Sequence, residues 1–95
     1  MRWTWDPRKD RLNRRDHGLG FETAMLVFDG ILAASKPDLS ADEERWQTMG
    51  MVRNVVIFVV HTWPELDESG KKTGRLISAR RATRHERKAY EEGEF

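Results

Sequence analysis

The sequence predicts an α+β domain: an antiparallel sheet of about four strands, two N-terminal helices and one C-terminal helix. Three observations carry this expectation. Asp6-Pro7 is a helix start, with Asp as N-cap and Pro at the first helical position. The unbroken apolar run over residues 55–60 alternates as a strand that is apolar on both faces, the mark of a central strand. Thr83-Arg84-His85-Glu86 has the form of a capping box. Helices set apart from consecutive strands define the class.

Taken in order, the first helix runs from Asp6 to about His17, with Gly18 as its stop. Leu12 is the apolar residue inside it, so its support has to come from Trp3, Trp5 and neighbouring chain. Phe21, Ala24, Met25 and Phe28 then follow the i, i+3, i+4, i+7 spacing of a short amphipathic helix, ended by Asp29-Gly30. Residues 31–35 are a short strand candidate, 36–44 a polar loop containing Pro37, and 45–50 a second strand. The strongest strand lies within 52–63 and stops at Pro64. Residues 65–73, with Gly70, form a polar hairpin connection to a fourth strand over 75–80. The last helix starts at Thr83 and runs to about Glu92, before Gly93. The helices are expected on one sheet face, leaving the other face or an edge for a ligand or partner.

The 95 residues are 38% hydrophobic and 35% charged, enough for one domain (1–95) with one modest core. No cysteine is present, which excludes disulfides and thiolate metal sites and fits a reducing compartment. The longest apolar run is far short of the roughly 20 residues a membrane helix needs, and the N-terminus has no signal-peptide core. A small cytosolic protein is the expectation, with no membrane partner. The net charge of +1 hides an asymmetry: residues 1–20 carry +3, 21–70 carry −6, 71–88 carry +7 and 89–95 carry −3. The +7 segment is either a phosphate-binding surface, because Arg forks match phosphate oxygens, or a solvated helix face.

A larger pattern emerges from the residues together. Trp5-Asp6-Pro7, Lys9, Asn13, His17-Gly18, Phe21-Glu22, Ala24 and Val27-Phe28 come first. Glu44-Arg45, Gly50 and Val59-Val60-His61-Thr62 follow. Ile77-Ser78-Ala79-Arg80-Arg81-Ala82-Thr83 with Glu86-Arg87 and Tyr90-Glu91 completes it. In order and spacing these residues resemble the BrnT family, toxins of a bacterial type II toxin–antitoxin module, over nearly the whole chain. The resemblance implies a RelE-like α+β fold and a ribonuclease that blocks translation. It also implies a BrnA-like antitoxin with a ribbon–helix–helix domain, in a heterotetramer that touches DNA only through the antitoxin. Two departures stand out: Asp16 occupies the place of a usual Lys before the His-Gly pair, and the 63–73 connection is longer than usual.

The resemblance implies RNA cleavage with no metal or other cofactor. The three histidines, at 17, 61 and 85, have no metal-site spacing. Such chemistry uses the 2′-OH as internal nucleophile and needs a base, an acid and cations for the charged transition state. Alternation along the fourth strand puts Leu76, Ser78 and Arg80 on one face and Arg75, Ile77, Ala79 and Arg81 on the other. Arg80 is the leading candidate for the transition-state clamp, with Arg75 or Arg81 as substitutes; antitoxin pairing for Arg81 and solvation for Arg75 are the competing roles. His61 is either an acid–base group or a structural ring bonded to backbone. Glu86 is a general-base candidate, with capping of Thr83 the better-supported role. Tyr90 stacks on a base, donates a proton or is buried against the sheet. Arg84, Arg87 and Lys88 on the last helix, and Lys9 and Asn13 on the first, are candidates for RNA contact; Lys9, Asn13 and His17 share one helix side as a polar groove or a wet face. Two other readings compete with the ribonuclease: an inactive co-repressor that only binds its antitoxin, and a stand-alone nucleic-acid-binding domain.

Overall fold

The computed structural model describes residues 1–39 and 43–95. The order of elements is β1 (Arg2–Thr4), α1 (Pro7–His17), α2 (Phe21–Ala24) running into a 3₁₀ helix (Met25–Asp29), β2 (Ala34–Asp38), β3 (Arg45–Val52), β4 (Val55–His61), β5 (Glu65–Leu66), β6 (Lys72–Arg81) and α3 (Arg84–Glu91). The class is α+β as expected, but the sheet has six strands and is mixed. Its order is β1-β6-β4-β3-β2, with β5 added on β6. The strands β2-β3-β4-β6 pair antiparallel, while β1 pairs parallel with β6, Trp3 opposite Gly74. β1 and β5, of three and two residues, are too short to show a period in sequence. Among the described residues no helix is long and apolar enough to cross a membrane.

Most elements have a local cause. Asp6 caps α1 by accepting from the Arg8 N–H at 2.9 Å, and Gly18 closes it in the left-handed region at φ 65°. The expected second helix is one α turn that tightens to 3₁₀ geometry, with Phe21, Ala24 and Val27 buried. The expected strand at 31–35 is displaced. Residues 31 and 32 form an exposed turn, closed by the Ala33 N–H on the Gly30 carbonyl, and the strand starts at Ala34 and takes in Lys36, Pro37 and Asp38. Pro37 is tolerated there because β2 is an edge strand. Of the expected 36–44 loop, residues 40–42 lie outside the described residues. β3 extends two residues past the expected Gly50, and Val52 belongs to it and not to the central strand. Between β3 and β4, Arg53 and Asn54 both take positive φ, 51° and 67°, as a two-residue hairpin turn requires.

The sheet carries a core on each face. On one face Phe21, Ala24 and Val27 pack on Val52, Ile57, Val59, Leu76 and Ala79, joined by Trp3, Trp5 and Phe28. On the other, Met49, Val56 and Phe58 pack with Val60, Ala82, Tyr90 and Phe95. The last helix therefore sits on the face opposite α1 and α2, contrary to the one-sided arrangement expected. β6 runs the length of the sheet and holds an extra residue: Ser78 pairs with Val60 and Leu76 with His61, leaving Ile77 as a bulge. The bulge overturns the simple alternation. Leu76 and Ala79 lie on the same core face, and the expected grouping of Leu76 with Arg80 does not hold. Gly74 is required beside β1, since a Cβ there would overlap the Trp3 ring.

α1 docks without an apolar stripe, and Leu12 points to solvent. Asn13 is 7% exposed. Its amide nitrogen donates to Leu19 O at 2.7 Å and Ala79 O at 2.6 Å, and its oxygen accepts from the Ala79 N–H at 3.2 Å. Asn13 thus completes the edge of β6 where β1 has already ended. Asp10, also buried, accepts from the Phe21 N–H at the start of α2 at 2.8 Å and pairs with Arg14. These bonds hold the carboxyl of Asp10 below its usual range. Lys9, Asn13 and His17, expected to share a helix side as a polar groove or a wet face, differ in burial: Lys9 and His17 are exposed and Asn13 is not.

Removing this amide strands two buried backbone groups of Ala79 at about 1–3 kcal/mol each. Asn13→Ala is expected to lower unfolding free energy by about 2–3 kcal/mol in urea denaturation. A loss under roughly 0.5 kcal/mol, typical of a neutral surface change, would contradict this role.

Candidate functional site

The sheet face that carries α3 also carries Lys36 of β2, Arg45 of β3, and Arg75 and Arg80 of β6. Counting by strand alternation from Met49, Arg45 and Gln47 lie on this face, and Lys36 of β2 pairs with Gln47. Lys36 sits over the Phe95 ring at 4.5 Å. Arg75, adjacent to core-facing Leu76, reaches Glu43 at 3.6 Å, and Glu43 also holds Arg45 at 3.1 Å. These residues form one basic flank of the face.

The other flank is built around Arg80. Its guanidinium lies 4.4 Å from the Phe58 ring centre, directly over the residue opposite it on β4. Nη1 and Nη2 donate to Oε1 and Oε2 of Glu86 at 2.7 and 2.9 Å, and Nη1 also donates to the Arg81 carbonyl at 3.2 Å. Three of the five guanidinium N–H groups are thereby used, leaving Nε and one Nη2 hydrogen for another acceptor. Glu86 serves the helix as well. Its Oε1 accepts the Thr83 N–H at 2.8 Å while Thr83 Oγ1 accepts the Glu86 N–H at 3.1 Å. The expected capping box is thus formed, and it fastens the strand-end arginine to the helix start. The Arg80 ion pair and the Thr83 N–H draw the Glu86 carboxyl down to about 2. Both carboxylate oxygens are thus engaged, one by Arg80 and the Thr83 N–H together and the other by Arg80.

The remaining sequence-predicted residues divide between the two faces. Tyr90, one turn beyond Glu86, packs with the Phe58 cluster and donates from its hydroxyl to Leu32 O at 2.9 Å. Arg84, Arg87 and Lys88 are exposed on α3, with Arg87 3.7 Å from Glu91. Arg81 is exposed and, by alternation, points away from Arg80. Lys9 and Asn13 belong to α1 on the far face, with Asn13 buried as described.

His61 is not brought to Arg80. It is 1% exposed on the α1 face, edge-on to Trp3 and Phe28. Its Nδ1–H donates to the Thr62 carbonyl at 2.7 Å, so Nε2 accepts from the Thr48 hydroxyl at 2.6 Å. Ser35 completes the chain with a hydroxyl contact to Thr48 at 2.6 Å. Burial lowers the His61 pKa, opposed by the Thr62 carbonyl. Both ring nitrogens are occupied by protein partners. Among the described residues no three His, Asp or Glu side chains group as metal ligands would.

Sequence reasoning missed Phe58 as the platform of Arg80, and Arg45 and Lys36 as members of the same face. The signal for Arg45 was present in the 45, 47, 49 alternation of β3; Lys36 was hidden because the strand holding it starts three residues later than expected.

Residues 5–86 match the family model described as ribonuclease toxin, BrnT, of type II toxin–antitoxin system. A search of curated proteins gives no match.

The Glu86 carboxyl, whose unperturbed value is 4.5, is held near 2 in the folded chain. Its contribution to stability is therefore fully present above about pH 4.5 and disappears as pH falls through about 2. Thermal melts from pH 6 to 2 are expected to show a steeper loss of stability for the native chain than for Glu86→Gln. Parallel curves for the two proteins would contradict the fork.

Proposed function

The chain belongs to the BrnT family of ribonuclease toxins of type II toxin–antitoxin systems, and from that premise we propose that it cuts RNA without metal on the basic sheet face around Arg80. A toxin of this type has a protein antitoxin as its partner. In this reading the antitoxin is a BrnA-like ribbon–helix–helix protein in a heterotetramer with the toxin, and the released toxin inhibits translation in the cytoplasm.

The observation that carries the reading is the Arg80 fork. A guanidinium held over an aromatic ring and locked by a carboxylate has little reorganisation left to do when charge develops on a bound phosphate. Its two remaining N–H groups suit two oxygens of a phosphorane-like transition state. In the reaction the 2′-oxygen bonds to the adjacent phosphorus and the bond to the 5′-oxygen breaks. The 2′-OH proton passes to a base and the 5′-oxygen takes up a proton, which leaves 2′,3′-cyclic phosphate and 5′-hydroxyl ends. Glu86 positions the clamp. Arg75 and Arg45 on the same face, and Arg84, Arg87 and Lys88 on α3, supply charge for flanking phosphates.

Antitoxin-free protein incubated with a defined RNA in EDTA is expected to give products with those ends. Arg80→Ala is expected to slow cleavage by at least about 100-fold, the cost of removing one well-placed donor to developing charge, while keeping the native circular dichroism spectrum. Full activity in Arg80→Ala would exclude Arg80 as the clamp. Absence of cleavage by folded native protein that still binds its antitoxin would favour the co-repressor function.

A further inference from the structure

On the face away from Arg80, a cavity of about 190 Å³ opens between β1, the 3₁₀ helix and the start of β5. Trp3, Phe28, His61 and Trp63 line it together with Ser35 and Lys72. Trp3 and Phe28 are stacked at 4.0 Å and 19°, with His61 edge-on to both. Trp63 rests on Trp46 at 4.4 Å and is 49% exposed, a broad aromatic surface open to solvent. The cavity shares Lys72 with a second pocket bordered by Arg2 and Lys71. None of these three cations forms an ion pair with a described residue, whereas Arg45, Arg75 and Arg80 all do.

We propose that this cavity is a nucleobase-binding subsite for single-stranded RNA, with Trp63 stacking on the base and Lys72 and its neighbours holding the phosphate. The inference rests on the ribonuclease reading, extending the substrate path beyond the Arg80 face. Size favours one ring system: pockets for whole small molecules usually run about 300–1,000 Å³, and this one is smaller. Chemistry favours a base over an apolar side chain. Aromatic walls with cations at their edge are the pattern of stacking platforms that track a nucleic-acid backbone, and the exposed Ser35 hydroxyl, bonded to Thr48, keeps lone pairs for a base N–H. The two ends of β6 provide the continuity. Lys72 begins the strand and Arg80 and Arg81 end it, so one strand carries the cations of both sites.

The test uses a fluorescently labelled, 2′-O-methylated RNA 12-mer, which lacks the nucleophile and is not cut, in anisotropy titrations with the full chain. Trp63→Ala is expected to bind it about 5- to 150-fold more weakly, the range for loss of one base-stacking ring, and Trp63→Phe to recover most of the affinity. Lys72→Gln is expected to reduce the slope of log affinity against log salt by about 0.7, the value for one phosphate contact on a single strand. Native-like affinity and salt slope in folded Trp63→Ala and Lys72→Gln would overturn the subsite and leave the ribonuclease reading standing, since cleavage at Arg80 is scored separately. Reduced affinity of Trp63→Ala for the antitoxin, with RNA binding unchanged, would also overturn it and assign the cavity to the partner.

Discussion

The carboxylate of Glu86 ties together the parts on which the functional face depends. One oxygen satisfies the Thr83 N–H at the start of α3, and both receive the Arg80 guanidinium from the end of β6. A single residue therefore sets where the last helix begins, how it joins the sheet, and where the strand's terminal cation points. Arg80 in turn covers Phe58, the central-strand residue at the heart of the second core. Bidentate geometry gives this pair its directionality, which a Lys could not reproduce. Partial burial limits screening of the pair, although desolvation offsets part of the attraction.

The opposite face is organised differently. α1 presents Asp10 and Asn13 to the protein interior where an amphipathic helix would present leucines, and both side chains bond to backbone groups of other elements. Polar docking of this kind is directional: the helix has one position in which the Ala79 strand edge and the Phe21 helix start are both satisfied. It also frees the rest of α1 to be charged, which explains how a helix with six basic or acidic side chains on its surface remains attached. The Trp3 ring closes the same face over Gly74, and His61 is held beneath it by Thr48 and Thr62.

What was legible in the sequence was local. The Asp6 cap, the Gly18 stop, the capping box at Thr83 and the doubly apolar central strand all depend on contacts within a few residues, and each is present. What was not legible depends on pairings distant in the chain. β1 gains its strand character only from β6, some seventy residues away, and Asn13 looks wet until the Ala79 backbone is placed beside it. The bulge at Ile77 is a register event between β4 and β6 that leaves no compositional mark, yet it decides that Leu76 joins the core with Ala79. For the site, the cluster of basic residues over 71–88 was visible, but not its division between the two ends and two faces of one strand. Arg80 and Glu86 were both identified from sequence as functional candidates; their fork, which changes the role open to Glu86, required the structure.

The functional reading turns on whether RNA contacts the sheet face at Arg80. Nuclear magnetic resonance can observe that contact, following the Arg80 side-chain Nε–H and the backbone amides of the full chain during titration with the uncleavable 2′-O-methyl RNA. Arg80 Nε–H is one of the two guanidinium donors left free by Glu86 and Arg81. A large shift of that resonance is expected, with further shifts at Arg45, Gln47 and Arg75 on the same face. RNA binding that perturbs α1 and leaves Arg80 and these neighbours unmoved would contradict it.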